Sequence, residues 1–378
     1  MTSSVERARA SADMLDLPKD PARLPDPVDH GMFEASSLTV SRWMAIIGML
    51  AGCTVFSAVI CLQFGAEYIR LNDILRILVG SIGDSVTDAE TTATILFHVR
   101  VPRIVLGFLA GCSLASVGVA LQALLRNPLA DPYVLGVSSG AALGVSIAVL
   151  FGVGTTILTM SALPLCGFLG GLAALAIVYR MAVSSERLPV HSVLLAGVIL
   201  NAVFSALIMF ITSIMDPNRS FGMMAWLMGS LTAPAYPALI VLAIYVFACF
   251  GLLLRHARAL NIMTSGDEPA RSLGLDTERT KRYTLLLSAL LTGAVVSYSG
   301  MIGFIGMVIP HAVRLGVGAD HRLLMPAAAL VGGAFLMVSD TVARTVLSPS
   351  ELPVGILTAL VGGPFFVYLL AWRKDRMS

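Results

Sequence analysis

From Trp43 onward the chain runs in long apolar stretches separated by short polar ones. A helix rises about 1.5 Å per residue, so about 20 apolar residues cross the hydrocarbon core of a bilayer. Stretches of that kind lie at 43–64, 101–125, 133–152, 157–179, 192–214, 236–254, 283–300, 302–317, 325–345 and 352–372, which predicts an all-α integral membrane protein of ten spans. The least regular stretch is "SYSGMIGFIGMVIPH", where Gly300, Gly303, Gly306 and Pro310 predict a broken or re-entrant element. Pro102, at the head of the second stretch, reads as the start of a helix. Arg100 and Arg103 are then three apart and share a face of its first turn.

The ends differ from the middle. Residues 1–42 hold Pro18, Pro21, Pro25 and Pro27 among mixed charges, with little apolar periodicity, and predict a disordered cytoplasmic tail. The first apolar stretch starts only at Trp43 and is long enough to span, which argues against a secretory signal. Residues 43–372 form the ten-span domain, and 373–378 a short cytoplasmic C-terminal tail.

Charge gives the ends their sides. With a cytoplasmic N-terminus, only Arg70, Arg76, Arg100, Arg103, Arg219 and Arg344 of the 25 basic residues fall outside the cytoplasm. Both termini are therefore expected in the cytoplasm. The outer arginines either snorkel to lipid headgroups or form a basic rim for an acidic partner. Asp340 is the clearest intramembrane charge, and Arg344 four residues on is its plainest partner.

Composition narrows the function. The 378 residues are 57% hydrophobic and 13% charged, against roughly 25% charged in a soluble domain, which excludes a soluble globule. Neither the net charge of +2 nor any basic run points to nucleic acid. The five cysteines, Cys53, Cys61, Cys112, Cys166 and Cys249, lie singly in apolar stretches and read as small core residues. The only lysines are Lys19, Lys281 and Lys374, and none follows a glycine, so the chain has no Walker A loop. There is no clustered set of metal ligands, and His191 and His311, near span ends, read as polar caps. A proton- or ion-coupled carrier places ionisable groups near the midplane, where this chain has almost none. A carrier, or a channel or structural membrane protein, is the competing class. The test between them is whether transport needs an ATPase partner.

Three further features bear on mechanism. The cytoplasmic segment from Arg255 to Tyr283 contains "SGDEPARSLGL", which opens like a helix: Ser265 is a candidate N-cap, Asp267 and Glu268 suit the first turn, and Gly274 can end it. It is either an ordered turn or a lever that another protein grips. Asn201 is the strongly polar side chain deep in the fifth stretch, serving either a neighbouring helix or a pore, and "SSERLPVHS" before it forms a short loop that could close a pathway. Small residues, including Gly167 and Gly171 at GxxxG spacing and the Gly332–Gly333 and Gly362–Gly363 pairs, predict closely packed helices.

"RVPR" followed by "LQALLRNPLADPYVLGVSSGAALG", then "GLLLRHARALNIMTSGDEPARSLGL", "GFIGMVIPHAVRL", "DHRLLMPAAALVGGAFLMVSDTVAR" and "ELPVGILTALVGGPFF", resemble the FecCD-type permeases of binding-protein-dependent ABC importers over roughly residues 43–372. The resemblance implies the ten-helix fold of a type II importer permease in the inner (cytoplasmic) membrane. It implies a homodimer on two ATP-binding subunits, with a periplasmic or extracellular substrate-binding protein above. The cargo would be an iron complex (a ferric siderophore or heme), with vitamin B12 as the alternative. The chain itself would be no enzyme and hold no catalytic residue, metal or cofactor, since ATP and magnesium would sit on the partner ATPase. By resemblance the coupling helix runs from about Ser265 to Leu275 and includes Gly266, Glu268, Ala270, Leu273 and Gly274. The cytoplasmic gate lies at Pro189 and Val190, with Asn201 in the pathway, and Arg100, Arg103 and Arg344 receive acidic residues of the binding protein.

Overall fold

In a computed structural model the described residues are 39–65, 67–79, 86–153, 156–157, 160–183, 188–348 and 350–374. The predicted tail lies outside them except for residues 39–42, as do residues 375–378. Packing divides the chain after Trp43; the second unit, Met44–Ser378, holds everything below except the first four residues of the first helix.

The described residues are almost wholly helical. Chain order is α1 (Val40–Gln63), α2 (Leu71–Val79), α3 (Val86–Ile95), a π turn (Leu96–Arg100), α4 (Val101–Leu125), a 3-10 turn (Pro132–Leu135) and α5 (Val137–Leu150). A two-residue antiparallel pair, β1 (Thr156–Ile157) and β2 (Met160–Ser161), precedes α6 (Ala162–Ala182). Then come α7 (Val190–Ile214), α8 (Pro217–Leu227), α9 (Tyr236–Arg255), α10 (Ala257–Met263) and α11 (Asp267–Ser272). The chain ends with α12 (Thr277–Ser299), α13 (Ile305–Val317), α14 (His321–Thr345) and α15 (Val354–Lys374).

Among the described residues six helices are long and apolar enough to cross a membrane: α1, the continuous α3–α4 rod from Glu90, α6, α7, α9 and α14. Among the described residues the apolar helices α5 and α13 are shorter than 18 residues. Each has a local cause. Gly136, at φ +75°, turns the chain between the 3-10 turn and α5, so the third stretch is two pieces. The tract around Gly300 is broken as its glycines predict. α12 ends at Gly300 (φ +67°), a short non-helical link follows, and Phe304 at φ +70° precedes α13.

Pro102 stands in the first turn of α4 as expected, but the chain is already helical before it. It follows a π turn in which the Val101 N–H donates to the Leu96 carbonyl. A proline supplies no N–H and crowds the carbonyl four residues back; the wider π turn accommodates both without ending the rod.

α4 is apolar around its whole circumference and forms the centre of the bundle, with all but two residues from Pro102 to Leu124 buried. α1, α7 and α9 instead show outward apolar side chains such as Phe56, Met209 and Ile244, as lipid-facing helices do. Contact with α4 is backbone to backbone. A Cβ on Gly111 would stand 2.1 Å from the Gly332 carbonyl of α14, and one on Gly118 1.8 Å from the Gly306 carbonyl of α13. In lipid, where burial drives little, such close packing holds helices together. The closest α5–α6 approach falls at Gly140 and Gly144 against Gly170 and Cys166, while the Gly167 and Gly171 pair meets side chains of Val145 and Val137.

Candidate functional site

Charged side chains gather at the two ends of the bundle, called outer and inner after the charge asymmetry. At the outer end Arg103, Asp340, Arg344 and Glu351 form one cluster. Arg103 meets Asp340 side-on: Nε donates to Oδ1 (3.1 Å) and Oδ2 (3.0 Å), and Nη2 donates to Oδ1 (3.0 Å). Its Nη1 donates to Glu351 Oε2 at 2.9 Å. Glu351 is held near by the loop from α14 to α15, where the Leu352 N–H donates to the Ala343 carbonyl. The expected i,i+4 pair is present, with Arg344 Nε 3.1 Å from Asp340 Oδ2, as a charge contact rather than an aligned hydrogen bond. Arg344 Nη2 donates to Thr341 Oγ1 at 3.2 Å.

Arg100 stands apart from that cluster. Its guanidinium donates to the carbonyls of Leu62 (2.7 Å), Gln63 (2.9 Å) and Glu67, closing the C-terminal end of α1. Gly65 admits it, since a Cβ there would lie 2.8 Å from Nη2. Three residues advance a helix to about 60° short of a full turn. Arg100 and Arg103 are thus neighbours around the rod, but each reaches a different helix. All three arginines are buried, at 3%, 8% and 6% exposure for Arg100, Arg103 and Arg344, so the rim read from sequence is largely internal in the single chain.

At the inner end, α11 is built as a short rigid piece. The cap at its start is Gly266, not Ser265: Gly266 has φ +111°, and no side chain caps the turn. Asp267 and Glu268 occupy the first turn as expected. The end is a Schellman motif, in which the Gly274 N–H donates to the Arg271 carbonyl (2.8 Å) and the Leu275 N–H to that of Ala270 (3.0 Å). Gly274, at φ +82°, is the residue that makes this left-handed turn without strain. Ala270 is fully buried beneath the helix, while Leu273 projects with 70% exposure.

Four ionic contacts clamp this helix. Lys281 of α12 pairs with Asp267 and, at 3.1 Å, with Glu278. Arg271 reaches Glu278 (3.3 Å) and Thr277 Oγ1 (3.0 Å), and Arg126, just past α4, reaches Asp267 (3.4 Å). Glu278 also accepts the Leu188 N–H at 2.8 Å, which brings the segment before α7 to the same cluster. Pro189 is the N-cap of α7, and Val190 lies with Leu188 and Val193 beside Leu124, Leu285 and Lys281. Sequence separation hid this meeting of the expected gate with the expected coupling helix.

Asn201 serves neighbouring elements. Its Nδ2 donates to the Tyr133 carbonyl at 2.9 Å, and its Oδ1 accepts the Ser139 hydroxyl of α5. Two polar links went unforeseen. Gln122 of α4 donates to the Gly306 and Met307 carbonyls and accepts from Arg314, tying α4 to α13. Asn261 of α10 donates to Asp320 (2.8 Å) and accepts the His321 N–H (2.9 Å), tying the inner segment to α14. The Arg322 side chain beside Asp320 holds its carboxyl down at about 2. Asp131, which caps the 3-10 turn by accepting the Tyr133 N–H, has its carboxyl pushed up by burial to about 6. His311 lies inside α13 rather than at its end. Gly136–Gly140 spells GVSSG, the pattern of a nucleophile elbow, but Ser138 is fully buried and enters α5 from a 3-10 turn rather than a strand. Among the described residues no three metal-ligating side chains cluster.

A polytopic bundle with breaks in its helices, paired charges at both ends and an almost uncharged middle defines a membrane transport permease. Residues 53–372 match the FecCD transport family, and the chain belongs to it. It is a permease of the ABC-importer type and not an enzyme. It is similar to the cobalamin import system permease protein of Halobacterium salinarum, 42% identical over 76% of each chain. It is similar also to the hemin transport system permease protein of Yersinia pestis, 40% identical over 75% of this chain and 85% of that one. A solved inward-facing conformation of a putative metal-chelate type ABC transporter shares its fold, at 31% identity and a TM-score of 0.73, covering 87% of this chain and 99% of that one.

Proposed function

We propose that this chain is the ten-span permease of an importer for an iron complex, a ferric siderophore or heme, in the inner membrane with both termini in the cytoplasm. Two copies pair around the pathway on two ATPase subunits, which hold the ATP and magnesium. The observation that carries this reading is α11: a helix clamped by Asp267, Lys281 and Glu278 that presents an exposed leucine, Leu273, at its end. Such a piece transmits force from a partner that holds it. Pro189, Val190 and Asn201 line the inner gate and pathway. Arg100, Arg103 and Arg344 form the docking face for the binding protein. A cobalamin cargo is the second reading, favoured by the 42% identical relative named for that import system.

The test is reconstitution with the ATPase and the binding protein. Leu273→Asp is expected to abolish uptake while leaving ATP hydrolysis and insertion intact. The purified complex is expected to hold permease and ATPase two to two. Uptake by this chain alone, without ATP, would overturn the reading. At the outer face, Arg344→Glu is expected to weaken binding-protein docking, more at low salt than at high.

A further inference from the structure

One inner corner of the bundle carries a groove that shares Glu278 and Leu275 with the α11 segment and otherwise lies outside the transport reading. It runs where the end of α9 and the start of α10 meet the first half of α12. One side is a cavity of about 610 Å³ lined by Arg279, Arg282, Tyr283 and Leu286. Across Arg279 and Tyr283 it continues into a second of about 440 Å³ lined by Leu252, Arg255 and His256.

The charges here are unlike those around α11 and at the head of α14. Arg126, Arg271, Lys281 and Arg322 each have a carboxylate partner. Arg255 and Arg279 have none within ion-pair distance among the described residues, although both are exposed. Both acids in the groove have other partners, although Asp276 also attracts the Arg279 guanidinium from beyond ion-pair distance. Asp276 caps α12 by accepting the Arg279 N–H, and Glu278 is taken by Lys281, Arg271 and Leu188.

The walls are mixed in a way that suits one kind of molecule. Leu252 and Leu286 are 48% and 44% exposed on helices that continue into the apolar bundle. Tyr283 lies between the apolar and charged parts, with the Arg279 guanidinium 5.5 Å from its ring and the His256 ring 5.7 Å away. Aromatic side chains of this kind mark the level of lipid headgroups, and basic pockets between spans at that level attract anionic ones. We propose that this groove binds an anionic phospholipid, its phosphate between Arg255 and Arg279 and its acyl chains along Leu252 and Leu286. An acidic protein surface would satisfy the arginines but would leave the leucines without a partner.

The probe is phosphatidylglycerol against phosphatidylcholine, offered in equal amounts to the purified full-length permease and read as retained lipid by native mass spectrometry. Wild type is expected to retain phosphatidylglycerol preferentially, with the preference falling as salt rises. Arg255→Gln with Arg279→Gln is expected to reduce the preference by about fivefold per arginine at an unchanged melting temperature. The Arg255→Lys, Arg279→Lys pair, which keeps the charge, is expected to retain it. Equal retention of the two lipids by wild type, or an undiminished preference in the glutamine pair, overturns the proposal. So does loss of the ATPase from the glutamine pair in micelles containing only phosphatidylcholine, which would assign the groove to that subunit. The site is independent of cargo, so its failure leaves the transport reading as it was.

Discussion

The outer and inner charge clusters are built from the same residue types and behave as different materials. Asp340 is 2% exposed and shared by two arginines, with Arg103 committed through both edges of its fork. Asp267 and Glu278 keep about a quarter of their side-chain surface in solvent, and Arg126 and Arg271 nearly half. Removing one partner from a buried pair leaves an uncompensated charge, whereas a wet pair is refilled by water. The outer cluster is therefore a fixed joint, while the inner one is fixed at Lys281 and can be remade at Arg126 and Arg271.

That contrast can be broken by a graded series of thermal unfolding measurements in detergent. Asp340→Asn is expected to have the largest effect, a loss of about 3–5 kcal/mol, because Arg344 loses its buried counter-charge and Arg103 keeps only Glu351. Equal stability of this variant and wild type would show that water already reaches the outer cluster. Lys281→Met comes next. Lys281 is the one buried member of the inner group, with 4% side-chain exposure, and its loss is expected to destabilise by about 1–3 kcal/mol while loosening α11 first. Protease sensitivity around residues 265–276 reads that loosening, and a cooperative melt with no local change would contradict it.

Asp131 sharpens the comparison through pH. Its folded-state carboxyl titrates near 6, above the unfolded value of about 3.9. Its contribution to stability is thus complete below pH 4 and is lost as pH rises through 6. Asp131→Asn keeps an oxygen for the Tyr133 N–H and is expected to raise the melting midpoint by a few degrees at pH 8 and not at pH 4. A pH-independent difference would remove the charge explanation. Arg126→Ala, at an exposed pair, is expected to change stability by no more than about 1 kcal/mol.

What could be read from sequence follows the range of each interaction. Apolar stretches report helices directly, and α7 and α9 fall within two residues of their expected ends. Asp340 and Arg344 were legible as a pair because four residues make one helical turn. Arg103 and Asp340 are 237 positions apart, and no local pattern announces such a bond. The same holds for Arg100, whose partners are backbone carbonyls that every residue possesses. The buried state of the arginines was missed for this reason: charge suggests surface until its partners are known. Around α11 the first-turn acids and Gly274 were legible, but the cap fell one residue later than Ser265. The usual preference for a serine oxygen yielded to the positive φ that only Gly266 makes easily.

The Schellman turn and ionic clamp of α11 bear on timing as well as strength. A linkage with slack spends the first part of any push taking up backlash, and its two ends then move in sequence. Here Ala270 is packed beneath the helix, Gly274 and Leu275 are hydrogen-bonded back into it, and Asp267 is tied to Lys281 on α12. On the proposed coupling role, Leu273 and the head of α12 travel as one part, and Leu188, bonded to Glu278, is drawn in the same stroke.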